Sequence, residues 1–162
     1  MQTRQILKIL ALVAIANGMP ILAKNIFGPR LALPLDSGRD FGDGRPLFGR
    51  SKTRRGILVS ILATTACAPL IGLDLTVGAL AAIAAMAGDL FSSFAKRRLN
   101  FPPSSRAIGL DQIPESLFPM LACRGALSLS DADIAVGVAA FLVGELMGSR
   151  ILFRLRLRDR PY

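Results

Sequence analysis

Histidine is absent from the 162 residues. That excludes a histidine-based catalytic triad, a histidine metal site and an imidazole general base. Only two cysteines occur, Cys67 and Cys123, both inside apolar runs. A cysteine zinc site and a disulfide scaffold are therefore excluded as well. Charged residues are scarce, at 19% against 52% hydrophobic. A chain this apolar is not disordered, and its length holds a single domain, residues 1–162.

What charge there is carries one sign. The formal net charge is +9 and the isoelectric point is near 11.0. Such a balance usually suggests nucleic acid, whereas a mean hydropathy of +0.49 suggests a membrane. The two agree if basic blocks separate long apolar runs. Five runs approach the roughly 17 to 25 residues that a spanning helix needs: about 6–23, 56–73, 75–94, 113–129 and 134–153. They are too long for strands and lack alternation, so the expected fold is all-α, a polytopic membrane protein of five transmembrane helices. The first run resembles a signal peptide but has no small-x-small cleavage site, and is expected to be retained.

Seventeen of the twenty basic residues fall in the segment 24–55, the segment 96–106 and the C-terminal stretch from Arg150. With five spans these share one side. The positive-inside rule makes that side cytoplasmic, with the N-terminus outside and the C-terminus inside a cell membrane. The turn at Asp74 is too short for chemistry, so a site must use the cytoplasmic loops. Gly144 and Gly148 form a small-xxx-small pair. It suits a homodimer face, and more simply packing inside one bundle. The basic tail Arg154–Arg160 can touch anionic headgroups or simply set topology.

Three constellations can carry chemistry. The first is the loop between spans one and two, where Asp36, Asp40 and Asp43 stand beside eight cations and several glycines. Backbone amides and cations suit a polyphosphate, and carboxylates among them suit Mg²⁺. Lys52 and Thr53 precede span two, whose positive dipole end adds attraction. The spacing is not a P-loop, since the lysine comes late and no strand precedes it. A solvated, topology-setting segment is the plain alternative. The second is Gly88-Asp89 with Ser93 and Lys96-Arg97-Arg98. Asp89, Ser93 and Lys96 share one helix face, and an acid inside a span is costly unless it lines a site or finds a cation. The third is Leu110-Asp111-Gln112 with Pro114 and Glu115, where Asp111 or Glu115 is a candidate metal ligand and Asp111 is equally a candidate helix N-cap. Arg124 and Glu145, also inside spans, are read as a possible mutual pair outside the site.

Together these segments resemble the CDP-archaeol synthase family and, more distantly, CDP-diacylglycerol synthases. The resemblance runs through Asn17 and Pro20, Pro34-Leu-Asp36, the stretch Asp43 to Gly56, Gly88-Asp89 to Leu99 and Leu110-Asp111-Gln112. It departs at Arg54 and Pro114. The resemblance implies a CTP-dependent cytidylyltransferase that forms a CDP-lipid and pyrophosphate from a membrane lipid phosphate, with Mg²⁺. It implies Asp89 and Asp111 as leading metal ligands, with Asp43 third and Asp36 secondary. Lys52, Thr53 and Arg55 would hold the triphosphate, and Lys96 and Arg97 one of the two phosphates, with Ser93 in support. Two other classes fit the apolar runs: a small transporter or channel subunit, and a non-catalytic lipid-binding scaffold. Nucleic acid is not an expected partner.

Overall fold

A computed structural model describes the backbone of residues 1–102, 105 and 107–154, with side chains to residue 148. The C-terminal arginines beyond Arg154, and Arg106, lie outside the described residues. Among the described residues the chain is helical, with two isolated β-bridges.

α1 runs Thr3–Phe27 and stops at Gly28, whose positive φ of 54° turns the chain out of the helix. α2 runs Arg54–Cys67 and continues as a 3₁₀ turn, Ala68–Ile71. Thr53 caps it, its hydroxyl accepting the Gly56 N–H at 3.1 Å. α3 runs Leu75–Arg98. These three elements are long and apolar enough to cross a membrane. Leu7, Leu58, Leu62, Leu80 and Ile83 are exposed on their outward faces, as helices solvated by lipid rather than water would present them.

α3 is the central element, packed against α1, α2 and α4. Its buried face is made of small residues, among them Gly78, Ala81, Ala82, Ala85, Gly88 and Ser92. Small side chains let backbones approach closely where lipid gives no hydrophobic drive to association. At Gly88 a Cβ would fall on the Pro114 carbonyl, so glycine there seats α4 directly on α3.

The fourth apolar run is not one helix. α4 runs Gln112–Ala122, the chain breaks at Cys123, and α5 is one turn, Arg124–Leu127, ended by Ser128 in the left-handed region. Arg124 turns outward there and pairs with Asp131 at 2.8 Å, which corrects its expected pairing with Glu145. Asp111 makes no N-capping bond either. The run still crosses the bundle, from Asp111 beside Lys96 to Leu127 and Leu129 in the cluster around Ile6, Ile9 and Leu12.

α6 runs Asp131–Arg154. Ser130 and Asp133 bond reciprocally at its start, and Asp133 also accepts the Gln2 N–H at 2.8 Å. The glycine that packs α6 into the bundle is Gly137, whose Cβ would meet the Met120 side chain. Gly144 and Gly148 have nothing within 4 Å, so the bundle-packing role expected of that pair falls to Gly137.

Candidate active site

The end of the bundle opposite Asp133 holds a cavity of about 300 Å³. α3 supplies Asp89, Ser93, Lys96 and Arg97, the face expected from their spacing. The start of α4 supplies Asp111, Gln112 and Glu115, and the segment before α2 supplies Phe48, Ser51 and Lys52. Ile21 of α1 and Glu145 of α6 complete the wall. A second hollow, of about 520 Å³, lies against Leu33, Arg50 and Arg54. It contains no carboxylate and none of the residues just named.

Two lysine–aspartate pairs organise the cavity. Lys52 Nζ lies 2.5 and 2.6 Å from the two Asp89 oxygens. Lys96 Nζ lies 2.6 Å from Asp111 Oδ1 and donates to the Ser105 carbonyl at 3.0 Å. The side chains in both pairs keep between 11 and 23% of their surface exposed, so water and ligands can reach them. Asp111 Oδ2 also accepts the Ala107 N–H at 3.0 Å, and Gln112 Oε1 the Gly109 N–H at 2.8 Å. These bonds fix the loop that leads into α4. Deeper in, Asn17 donates to Glu115 Oε2 at 2.8 Å.

Bonding capacity is left over. Arg97 is 7% exposed and donates to the Pro102 carbonyl at 3.0 Å, while its Nε has no partner among the described residues. Asn17 Oδ1 is likewise unbonded. Unsatisfied buried groups are costly, and here they border a polar cavity. Lys52, Lys96 and Arg97 face Asp89, Asp111, Glu115 and Glu145. Such alternation can exchange partners: cations to phosphate oxygens, carboxylates to a dication.

Four expected site residues lie elsewhere, each held by a bond the spacing did not reveal. Asp43 pairs with Arg98 at 2.6 Å. Asp36 accepts the N–H groups of Gly38, Phe48 and Gly49 at 3.0–3.1 Å. Burial alone would raise its pKa, but those amides together hold the carboxyl below its ordinary value of 3.8. Thr53 is the cap of α2. Arg55 donates to the Gly28 and Arg30 carbonyls and stacks on Phe27, 5.8 Å from the ring centre. The expected four-carboxylate metal set is therefore not assembled. Among the described residues no three acidic or cysteine side chains are grouped to hold one ion. Glu115, the alternative ligand of the third constellation, lines the cavity with Gln112, and so does Glu145, which corrects its expected place outside the site. Glu145 carried the signal of an acid inside a span, but its direction across the bundle depends on how α6 packs.

A family model described as CarS-like CDP-archaeol synthase matches residues 67–162. The chain is 43% identical to the CDP-archaeol synthase of Pyrococcus furiosus over 107 residues, 60% of each chain. It is 32% identical to that of Sulfurisphaera tokodaii over 155 residues, 91% of this chain and 89% of the other. The Pyrobaculum islandicum relative is also 32% identical, over 91 and 92% of the two chains. A solved structure described as an intramembrane enzyme for archaeal membrane lipids biosynthesis superposes with a TM-score of 0.69. It is 30% identical, and the match covers 87% of this chain and 90% of that one.

Proposed function

The chain belongs to the CDP-archaeol synthase family, and we propose that it joins CTP to a lipid phosphate in the cavity between α3 and α4. An oxygen of the lipid phosphate attacks the α-phosphorus of CTP. The bond from that phosphorus to the bridging oxygen breaks, and pyrophosphate leaves with the electron pair. The relatives' names point to archaeol as the lipid, with diacylglycerol as the ester counterpart. The reaction needs no covalent nucleophile, which suits a chain without histidine whose cysteines lie away from the cavity.

The observation that carries this reading is the meeting of two lysine–aspartate pairs from distant chain segments in one cavity. Two anions must approach each other, so catalysis rests on positioning and on screening charge. Lys52, Lys96 and Arg97 bind phosphate oxygens, and Ser93 adds a hydroxyl beside them. Asp89 and Asp111 would hold Mg²⁺. Their oxygen-only chemistry fits that ion, which takes one or two protein carboxylates and completes its shell with phosphate and water. When bound, the ion screens the reacting phosphates and stabilises the leaving pyrophosphate.

The same reading sets the chain in a cell membrane with five crossings, the α4–α5 run fourth and α6 fifth. The cavity end is cytoplasmic because it carries the basic segments, and the N-terminus lies outside. A homodimer contact through Gly144 and Gly148 belongs to it, supported by the open space beside both glycines. A transporter would need a polar path from end to end. The end opposite the cavity is closed by Ile6, Ile9, Leu12, Met120 and Leu127. A scaffold that merely binds lipid would have no use for acids paired with Lys52 and Lys96 inside a cavity.

The test is product analysis. Purified protein with Mg²⁺, labelled CTP and a panel of ether- and ester-lipid phosphates should yield a CDP-lipid and pyrophosphate by mass spectrometry. Absence of nucleotide-dependent turnover across the panel overturns the proposal.

A further inference from the structure

Asp43 lies off the cavity, yet it is one of the most connected residues of the loop. It sits at the tip of a small hairpin, residues 39–47, closed by the Asp40–Pro46 bridge. Inside the hairpin the Phe41 N–H donates to the Arg45 carbonyl at 2.8 Å, and the Gly44 N–H to the Phe41 carbonyl at 2.9 Å. Asp43 Oδ1 accepts the Arg45 N–H at 3.1 Å. The hairpin sits on the last turn of α3, and two arginines cross over to hold it there.

Arg98 of α3 reaches into the hairpin. It donates to Asp43 Oδ1 at 2.6 Å, to the Pro46 carbonyl at 2.7 Å and to the Arg45 carbonyl at 3.2 Å. Its guanidinium lies 5.0 Å from the ring centres of both Phe41 and Phe94, which themselves meet edge to face at 5.4 Å. Arg45 reaches back to the Arg98 carbonyl at 2.7 Å. That carbonyl is among those a helix end leaves unpaired, where a cation is also favoured by the dipole. A rigid, planar guanidinium suits this many fixed acceptors, and a lysine could not satisfy them together.

The chain leaving the hairpin is the wall of the cavity. Phe48, Ser51 and Lys52 follow within a few residues. At the other side Lys52 is tied by its carbonyl, which accepts the Leu35 N–H at 2.8 Å. The wall is thus pinned at three points, the hairpin on α3, Asp36 on the Phe48 and Gly49 N–H groups and the Leu35–Lys52 bond, and the Lys52 ammonium reaches Asp89 from its end.

From this we infer that Asp43 and Arg98 form a clasp that positions the Phe48–Lys52 wall over the nucleotide site, and that Asp43 acts through Arg98 and not as a metal ligand. The inference rests on the reading of the cavity as the CTP site. A clasp and a ligand make different demands. Removing Asp43 takes away one contact of Arg98 and removing Arg98 takes away all of them, so removing both adds little to the loss of Arg98 alone. Removing a ligand changes the metal requirement, and the loss of Arg98 would not mimic it.

The experiment uses full-length protein in detergent with Asp43→Ala, Arg98→Ala, the double variant and the conservative Arg98→Lys. Arg98→Ala should raise the KM for CTP about tenfold and Asp43→Ala by less, with kcat changed less than about threefold in both, and the double variant should match Arg98→Ala within about twofold. The Mg²⁺ concentration for half-maximal rate at saturating CTP should be unchanged, and Arg98→Lys should restore only part of the affinity. Backbone amide exchange of residues 39–49, measured without substrate, should quicken in both singles, more in Arg98→Ala, and no further in the double. Additive losses in the double variant overturn the clasp. So does a raised Mg²⁺ requirement confined to Asp43→Ala. Exchange in Asp43→Ala that stays at the wild-type rate, or a double variant that exchanges faster than Arg98→Ala, overturns it whatever the turnover of the wild type. A wild type inert toward CTP whose 39–49 exchange follows the expected pattern upholds the pairing and overturns the reading of the cavity.

Discussion

At the end of the bundle where Gln2 meets Asp133, the helices touch through Ile9, Leu12, Met120 and Cys123, all fully buried. At the end where α3 meets the loop, they touch through Lys52–Asp89, Lys96–Asp111 and Arg98–Asp43. The first end can be rigid because dispersion between close-packed atoms is its only demand. The second holds opposite charges that neutralise each other and remain within reach of solvent. Ion pairs of this kind contribute little to stability, and their value is in what they can exchange for. Stability and chemistry are thereby assigned to opposite ends of one short bundle, and substitutions at the two ends should separate the two properties.

The sharpest break is expected at Asp89. Asp89→Asn keeps the shape and removes the charge that faces Lys52. Formation of CDP-lipid should fall by about 10²- to 10³-fold, the size seen when one group stabilising a charged transition state is removed. The unfolding midpoint in detergent should move little, since the pair is only partly buried. A variant that unfolds readily and keeps full activity when folded would reverse the roles assigned to the two ends.

The opposite separation is expected at Gly78, where α3 crosses the end of α2. A Cβ there would lie 2.6 Å from Ala68 Cβ and 3.1 Å from Thr65 Cα. Neither atom belongs to a flexible side-chain tip, so the helices must part. Gly78→Ala should destabilise by about 1–3 kcal/mol, read by denaturation in mixed micelles. The KM for CTP of the folded protein should be unchanged. Gly18→Ala is the control: it sits inside α1 with nothing within 4 Å, and its stability should hold or rise slightly, since alanine favours a helix over glycine.

These contrasts show why some of the molecule can be read from its sequence and some cannot. The apolar runs and the face shared by Asp89, Ser93 and Lys96 follow from helical period alone, and α3 keeps that period from Leu75 to Arg98. The break at Cys123 is not written in hydropathy, because the run stays mostly apolar across it, with Leu121 and Ala122 before and Ala126 and Leu127 after, and the one charge there, Arg124, turns out to meet Asp131. The loop is harder still. The composition of residues 24–55 suits a phosphate site, and part of it, Phe48, Ser51 and Lys52, lines the cavity. Which carboxylate faces the cavity is decided by partners far along the chain: Phe48 and Gly49 for Asp36, Arg98 for Asp43. A list of acids beside cations does not say which are already engaged in holding the loop together.

The smallest expected effect concerns that loop and turns on pH. Asp36 is held as a carboxylate by three backbone N–H groups, and its pKa lies below 3.8 in the folded chain. A carboxyl with a depressed folded pKa stabilises where it is ionised in both states. Its contribution is complete above about pH 5 and is lost as the pH falls through the folded pKa, because the unfolded chain takes up the proton first. Asp36→Asn offers the same amides a neutral acceptor, so it should be slightly less stable than the wild type near neutrality. Other carboxyls titrate alike in both proteins and cancel in the difference. The gap between the two denaturation midpoints should therefore stay constant from about pH 7 to about pH 5 and close on further acidification. A gap that persisted or widened in acid would mean that the Phe48–Gly49 turn does not depend on the ionised carboxylate. The wall that carries Lys52 would then owe its shape to the Arg98 clasp and the Leu35–Lys52 bond.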